Sequence, residues 1–274
     1  GLDGARIEAL AGQISRLRNA GREVVVVSSG AIAAGVRRMG LTARPRDIPG
    51  KQAAAAVGQG LLVRAWDEAF ARLGTTTAQV LLTADDLAHR HRYLNARHTL
   101  ETLLAWRVVP VINENDTVMV DEIKFGDNDQ LAALIAGLVG ADATVILSDV
   151  DALYDADPHK VPTARPIPWV RRWDASFLDL AGSDAGALGT GGMRSKLLAA
   201  QKCLSAGIPL LIASGTEPDV LVRALSGEPV GTLFAGRTRK FAGCKLWLAH
   251  LPRPSGDLVV DEGAARALRE GGTS

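Results

Sequence analysis

Short runs of valine, isoleucine and leucine recur along this chain, and they constrain its fold more than any other feature. These four- or five-residue runs, typical of buried strands in a parallel sheet, lie at residues 24–27, 78–82, 108–112, 144–147 and 210–213. Segments with helical spacing or high alanine content separate them, at residues 7–17, 51–73, 93–106, 129–137 and 193–205. Strands that alternate with helices predict an α/β fold in which helices cover both faces of a mainly parallel sheet.

Two parts of the chain depart from this alternation. Between residues 154 and 189, prolines, tryptophans and polar residues replace the regular pattern and predict a long irregular excursion. After residue 234, the basic run at 237–240 is typical of a linker, and segments 245–251 and 258–260 are typical of two further strands. Those last residues are too few to form a core of their own.

The composition argues against several classes of partner. The 274 residues are 47% hydrophobic, which allows a sizeable core, and 31 basic against 30 acidic residues leave a formal net charge of +1. That balance argues against nucleic acid and anionic membranes as partners, and an aromatic content of 4% argues against stacking on single-stranded nucleic acid. The two cysteines and the short apolar runs favour a cytoplasmic protein that acts on small molecules.

Polar side chains follow the strand at 108–112 in two dense clusters. The first is Asn-Glu-Asn-Asp at residues 113–116, and the second is Lys-Phe-Gly-Asp-Asn-Asp at residues 124–129. Loops at the carboxyl ends of strands form the ligand crevice of an open α/β sheet. These groups therefore suit a ligand with an ammonium and a carboxylate group, or a magnesium nucleotide. The alternative interpretation is a solvated acidic loop.

A glycine-rich segment, Gly-Thr-Gly-Gly-Met-Arg-Ser-Lys at residues 189–196, precedes and begins one of the helical segments. Glycine lets backbone amides approach a phosphate closely, and Lys196 adds a mobile positive charge in the first turn. The spacing differs from that of the Walker phosphate loop. Together the glycines and the lysine indicate a phosphate site, and the alternative is an ordinary loop followed by a surface lysine.

Two further strand ends carry candidate ligand groups. Ser28 and Ser29 precede Gly30 at a strand-to-helix junction, which is either an anion site built from backbone amides or an ordinary helix cap. Ser148 and Asp149 follow the strand at 144–147, at the sheet edge where a nucleotide could bind. The histidines at positions 89, 91 and 98 lack carboxylate or cysteine partners at ligand spacing, so we expect no metal ion held by the protein alone.

Taken in order, these segments resemble the amino acid kinase family. The similarity runs from about residue 7 to residue 234 and rests on residues 28–35, 113–116, 124–129, 147–149 and 189–193. The runs Ile-Asn-Glu-Asn-Asp at 112–116 and Gly-Asp-Asn-Asp at 126–129 are similar in particular to the members that phosphorylate glutamate. The resemblance implies a three-layer αβα sandwich around a mainly parallel sheet.

The resemblance also implies an activity and partners. ATP, with Mg²⁺, would phosphorylate the γ-carboxylate of L-glutamate to give γ-glutamyl phosphate, the first step of proline biosynthesis. A homo-oligomer (dimer or tetramer), feedback inhibition by proline and delivery of the product to glutamyl phosphate reductase are implied as well. Two alternatives stay open: a family member that phosphorylates acetylglutamate, carbamate, aspartate or a nucleoside monophosphate, and a non-catalytic ligand-sensing or RNA-binding protein.

Ligand-binding residues are assigned through the resemblance. Ser29, Asp116 and Asn128 match positions that hold the glutamate, with Asp127 as a neighbour. The residues that match the ATP site are Ser148, Asp149, Thr190, Gly191, Gly192, Met193, Arg194, Ser195 and Lys196.

The resemblance gives catalytic roles to two residues. Lys196 matches a lysine that stabilises charge on the transferring phosphoryl group, and Asp129 matches an aspartate that positions the catalytic lysines. The Mg²⁺ is expected to be held mainly by phosphates and water, because this ion loses its water ligands reluctantly.

The resemblance also predicts the domain organisation. Residues 1–236 match the kinase domain, residues 237–256 a linker, and residues 257–274 the start of an incomplete β domain of the PUA type. The family's first strand, which carries Lys-x-Gly-x-Ser and a second phosphate-binding lysine, has no match in these residues. Since the core would suffer without a central strand, we expect that strand to precede residue 1 in the whole protein.

Overall fold

Helices alternate with strands in the computed structural model, which describes residues 2–118, 127–158, 160–181 and 192–235, together with 262, 263 and 266. The helices of the described residues are α1 (Gly4–Asn19), α2 (Ala31–Arg38), α3 (Ile48–Ala71), α4 (Ala84–Ala88), α5 (Arg90–Ala105), α6 (Asn128–Val139), α7 (Phe177–Leu180), α8 (Met193–Ser205) and α9 (Val220–Leu225). The strands are β1 (Val26–Val27), β2 (Thr77–Leu82), β3 (Val109–Glu114), β4 (Thr144–Ser148), β5 (Trp169–Val170), β6 (Leu210–Ser214) and β7 (Thr232–Phe234). The predicted α/β fold is confirmed.

The strands form two sheets, and parallel pairs predominate in both. The first sheet has the order β1-β3-β2 and is parallel throughout. The second has the order β4-β6-β7-β5, in which only the β6–β7 pair is antiparallel. Parallel neighbours need a crossover, and α8 lies in the connection between the parallel neighbours β4 and β6. The helix α6 lies between β3 and β4 in the chain, and its first residue, Asn128, binds Asn113 near the carboxyl end of β3.

Side-chain alternation along the strands gives the fold its three layers. In β3, Val109 and Val111 pack with α1 and α3, whereas Ile112 packs with α5 and α6. In β6, Leu211 joins the first of these clusters and Ile212 packs instead with α6 and α8. Since successive residues of a strand face opposite sides of a sheet, helices cover both faces. This is the three-layer αβα arrangement that the family resemblance implies.

Two glycines set the spacing between α2 and α3. A Cβ atom at Gly35 would lie 1.8 Å from the carbonyl oxygen of Ala54, and one at Gly58 would lie 1.8 Å from the carbonyl oxygen of Ala31. Any side chain at either position would collide with backbone, so only glycine lets the helices approach this closely. The contact fixes α2 against the longest helix of the described residues, directly after the Ser28–Ser29 turn.

The sequence patterns located most of these elements but missed some short ones. The strand expected at 24–27 is limited to Val26 and Val27, which are the residues that pair with β3. Of the predicted irregular region at 154–189, the described residues 154–158 and 160–181 are largely irregular, yet they contain β5 and α7, and β7 follows α9 later in the chain. The predicted linker at 237–256 lies outside the described residues, as does nearly all of the expected β domain at 257–274. No helix in the described ranges combines the length and apolar character needed to cross a bilayer.

Candidate active site

Polar residues lie at the carboxyl ends of strands from both sheets. Ser28 follows β1, and its backbone N–H donates to the carbonyl oxygen of Ile112, which places Ser29 beside the end of β3. In the second sheet, Ser148 is in register with Ser214 at the ends of β4 and β6. This is the edge at which the ligands of open α/β sheets bind.

The first turn of α6 lies between these two groups of strand ends. Asp127 caps the helix, because its Oδ1 accepts hydrogen bonds from the backbone N–H groups of Asp129 (3.1 Å) and Gln130 (3.2 Å). The other oxygen of Asp127, Oδ2, is buried and receives no hydrogen bond from the residues that the structure describes. A buried carboxylate oxygen of this kind suits a ligand ammonium group or a water molecule bound to a cation.

Asn128 connects α6 to the first sheet through other amides. Its Nδ2 donates to Oδ1 of Asn113, 2.9 Å away at the end of β3. The Nδ2 of Asn113 donates in turn to Oε1 of Gln59 on α3, at 2.8 Å. The amide of Asn128 is thus held at the sheet edge by a chain of neutral hydrogen bonds.

Asp129 connects α6 to α8 through an ion pair. The ammonium of Lys196 donates to Oδ2 of Asp129 at 3.0 Å, and the two side chains are 9% and 17% exposed, respectively. Burial raises the pKa of Asp129, while the positive charge of Lys196 opposes that rise and the negative charge of Asp127 adds to it. A pair so shielded from water holds the lysine head in one place at the start of α8.

A second contact fixes the relative position of α6 and α8. The side-chain amide of Gln130 donates to the carbonyl oxygen of Ser195 at 2.7 Å, and Gln130 is buried. The two helices therefore meet at their first turns, with the N-terminal amides of α8 close to the ion pair.

Ser148 and Asp149 lie within the electrostatic influence of Lys196. The Ser148 hydroxyl donates to Oδ1 of Asp149 at 2.9 Å, and this bond is the main reason that the pKa of Asp149 is lowered. The positive charge of Lys196 contributes to the same decrease. The N–H of Gly215 donates to the carbonyl oxygen of Ser148 at 2.8 Å, which ties the end of β4 to the end of β6.

The structure brings together most of the residues that the sequence singled out. Asn128 is the chain neighbour of Asp129, which binds Lys196, so the acidic cluster and the glycine-rich segment meet in one region. Ser29 is exposed after β1, and Asp116 is half-buried two residues beyond β3. Gly192 precedes α8, which begins with Met193, Arg194 and Ser195. Thr190, Gly191 and residues 119–126 lie outside the described residues.

Three further polar residues at this edge were not assigned a role from the sequence. Gln59 lies in an alanine-rich helix, Asn113 was only one member of a polar run, and Gln130 resembles any helical glutamine. The one available signal was position, because Asn113 begins the polar run at 113–116 and Gln130 directly follows Asp129. In the described ranges, no group of three or more His, Cys, Asp or Glu side chains is arranged to bind a metal ion.

Comparisons with known proteins place the chain in a family. The model of the amino acid kinase family matches residues 1–214. A glutamate 5-kinase of Meiothermus ruber is 62% identical over 266 residues, which cover 97% of this chain and 71% of that protein. A glutamate 5-kinase of Thermus thermophilus is 57% identical over 274 residues, covering 100% of this chain and 73% of that protein.

A solved structure supports the fold independently of close sequence similarity. The crystal structure of UMP kinase from Bacillus anthracis superposes with a TM-score of 0.55 at 17% identity, covering 86% of this chain and 88% of that one. At this level of identity the likeness concerns the fold alone. From the family match, the two close relatives and the shared fold, we conclude that this chain belongs to the amino acid kinase family.

Proposed function

We propose that this chain transfers the γ-phosphoryl group of ATP to the γ-carboxylate of L-glutamate, which is the activity named for its close relatives. The observation that carries the proposal is the pair of contacts at the start of α6. Asn128 lies beside the strand ends of the first sheet, and the next residue, Asp129, holds Lys196 of α8. An acceptor and a phosphoryl donor bound on the two sides of this turn would meet at the lysine.

The two sides of the turn suit different ligands. We assign Ser29, Asp116, Asn128 and Asp127 to the glutamate, because amides, hydroxyls and carboxylates can bind both its ammonium and its carboxylate groups. On the other side we assign the nucleotide to the ends of β4 and α8. The residues of this ATP site are Ser148, Asp149, Thr190, Gly191, Gly192, Met193, Arg194, Ser195 and Lys196.

Positioning and charge neutralisation account for the chemistry. The γ-carboxylate is already anionic at neutral pH, so no general base is needed to form the nucleophile. A carboxylate oxygen forms a bond to the γ-phosphorus while the bond to the bridging oxygen breaks, and ADP leaves with that oxygen's electron pair. Two anions must approach each other, and Lys196 lowers the resulting repulsion.

Asp129 acts through Lys196. Its carboxylate keeps the lysine ammonium at one point, so that the positive charge does not have to be reorganised during transfer. Mg²⁺, when bound with ATP, neutralises phosphate charge, and the carboxylates of Asp127 and Asp149 would contact the water molecules around it. The buried Oδ2 of Asp127, which receives no hydrogen bond from the described residues, fits such an outer contact.

The family resemblance supports several subsidiary proposals. We propose a homo-oligomer in the cytoplasm, inhibition by proline bound near the glutamate site, and delivery of the unstable acyl phosphate to glutamyl phosphate reductase. We also propose that a kinase domain ends near residue 236 and that a β domain begins near residue 257. These proposals rest on the family resemblance, which the identity of this chain to two proteins named glutamate 5-kinase extends to nearly all of its residues.

Trapping the product tests the main proposal. With glutamate, ATP, Mg²⁺ and hydroxylamine, the protein should form γ-glutamyl hydroxamate and release ADP in equal amounts. N-acetylglutamate, aspartate, carbamate and UMP should release little ADP under the same conditions. ADP release with one of these compounds and not with glutamate would reassign the substrate, and no ADP release with any of them would favour a ligand-sensing or RNA-binding protein.

A further inference from the structure

Three side-chain amides form a continuous hydrogen-bond chain from α3 to the proposed glutamate site. Gln59 Oε1 accepts from Asn113 Nδ2 at 2.8 Å, and Asn113 Oδ1 accepts from Asn128 Nδ2 at 2.9 Å. Asn113 is only 3% exposed, so water cannot readily replace either partner. Both ends of this buried amide are therefore satisfied by protein groups, as buried polar groups require.

The chain has a direction. A primary amide has a donor end and an acceptor end of nearly the same size, and its hydrogen-bond partners decide which way it is turned. In the structure, Gln59 presents its oxygen to Asn113, and Asn113 presents its NH₂ group to α3 and its oxygen to α6. Asn128 then presents its own NH₂ group to Asn113, and its oxygen becomes the end that can accept a hydrogen bond from a ligand.

We propose that Gln59 is a positioning residue for the proposed kinase reaction and that it sets the substrate specificity of Asn128 without touching the substrate. The side-chain oxygen of Asn128 accepts a hydrogen bond, and the donor that an amino-acid substrate offers is its protonated α-amine. The chain thus favours an amino acid over the corresponding dicarboxylate that lacks the amine. This inference rests on the proposed function, since it concerns how the same site distinguishes its substrate.

Gln59 is not needed to hold α3 in place. The helix is fixed against α2 by the close contact at Gly58, and Leu62, Trp66 and Phe70 anchor it in the main core. Removing one half-buried amide from this helix leaves those contacts intact. The expected consequence therefore lies in the orientation of Asn113 and Asn128 and not in the fold.

Two variants test the direction of the chain. Gln59→Leu removes the acceptor, and we expect it to raise the KM for glutamate about tenfold with little change in kcat, as for loss of one hydrogen bond to a charged group. Glutarate lacks the α-amine, so its affinity should stay at the wild-type value. The selectivity for glutamate over glutarate should therefore fall about tenfold. Gln59→Glu presents only acceptor oxygens to Asn113, and it should keep both KM and selectivity close to those of the wild type.

A matched control separates this effect from a loss of stability. Gln13 is another helical glutamine, more buried than Gln59, and its Oε1 accepts from the backbone N–H of Leu221 at 2.9 Å, where α1 meets α9. Gln13→Leu should lower Tm and leave the selectivity for glutamate over glutarate unchanged. All measurements use the full chain, the hydroxamate assay and thermal melts.

The outcomes separate a failure of the positioning role of Gln59 from a failure of the proposed kinase function. A Gln59→Leu variant that keeps the wild-type selectivity would overturn the positioning role, even if its Tm falls as in Gln13→Leu. A Gln59→Glu variant with the same defect as Gln59→Leu would overturn the proposed direction of the chain. If the wild type makes no γ-glutamyl hydroxamate, the proposed function fails and the inference fails with it.

Discussion

Asn128 and Asp129 are chain neighbours, yet they attach the start of α6 to opposite halves of the molecule by different chemistry. Asn128 reaches the sheet β1-β3-β2 through neutral amide hydrogen bonds. Asp129 reaches α8, which leads into the sheet β4-β6-β7-β5, through a buried ion pair. Successive residues of a helix point about 100° apart, so a single turn can bind two partners on different sides.

Under the proposed function, the two kinds of contact would serve two different tasks at the candidate site. A chain of neutral amides fixes the orientation of a group at little electrostatic cost, which suits the recognition of a substrate. A buried ion pair places a full positive charge where water is scarce, which suits the neutralisation of a transferring phosphoryl group. Because Asn128 and Asp129 lie on the same turn of α6, that turn sets the distance between the amide chain and the ammonium of Lys196.

Removing the positive charge of Lys196 should have the largest effect on activity. A small effect would contradict the proposed difference between the two sides of α6. We expect Lys196→Ala to lower kcat by roughly 10²–10³, the scale for removing one group that stabilises a transition state. The KM for glutamate should change much less, because the amide chain on the other side of α6 is intact. Steady-state kinetics with the hydroxamate assay measure both constants.

A surface lysine provides the control for this variant. Lys160→Ala removes a lysine whose side chain is 61% exposed and should leave kcat unchanged. Since Lys196→Ala also leaves the Asp129 carboxylate buried without its ammonium, thermal melts are needed to show that the variant is folded at the assay temperature. A folded Lys196→Ala variant with wild-type turnover would remove Lys196 from the proposed mechanism.

Substitutions of residues assigned to the glutamate should have intermediate effects, and these should appear in the KM for glutamate. We expect Asn128→Ala and Asp116→Ala each to raise the KM for glutamate about tenfold or more, as for a lost hydrogen bond to a charged ligand group, with the KM for ATP nearly unchanged. The measurement is a pair of titrations, one in glutamate and one in ATP. An increase confined to the KM for ATP would place these residues on the nucleotide side and reverse the assignment of the two halves.

The sequence predicted both groups of candidate site residues from their positions at strand ends and helix starts. The strand β4 ends at Ser148, one residue beyond the predicted strand at 144–147, and the helix expected at 193–205 has those bounds, because a glycine run precedes it and Gly207 follows it. The proximity of Asn128 and Lys196 followed from topology, since both segments come after parallel strands. Strand ends and helix starts are local sequence signals, and the rule that ligands bind at the carboxyl ends of parallel strands brings them together.

The partners within the site required tertiary structure. Gln59 is one position in a 24-residue helix, and only packing decides which of its faces reaches the end of β3. The strand β7 was missed for a related reason, since Thr232 is polar but fully buried. Its hydroxyl donates to the carbonyl oxygen of Ile167 at 2.7 Å and accepts from the N–H of Leu153 at 2.8 Å. Long-range hydrogen bonds of this kind leave no periodic pattern in the sequence.

The pH dependence of stability should give the smallest effect and should differ in sign between Asp129 and Asp149. Burial raises the pKa of Asp129 above its ordinary value of 3.8, so its contribution to stability is fully present below that pH and is lost as the pH rises through the folded-state pKa. The hydrogen bond from Ser148 lowers the pKa of Asp149, so its contribution is present above pH 3.8 and is lost as the pH falls through the folded-state pKa.

Urea unfolding of the wild type, Asp129→Asn and Asp149→Asn at several values between about pH 3 and pH 7 measures these two contributions. The difference in unfolding free energy between wild type and Asp129→Asn should decrease as the pH rises, because the variant lacks the carboxyl that becomes costly to ionise. The same difference for Asp149→Asn should increase with pH. If both differences changed with pH in the same direction, the attraction of Lys196 would outweigh the burial of Asp129. The expected contrast between the shielded Asp129 and the exposed Asp149 would then be wrong.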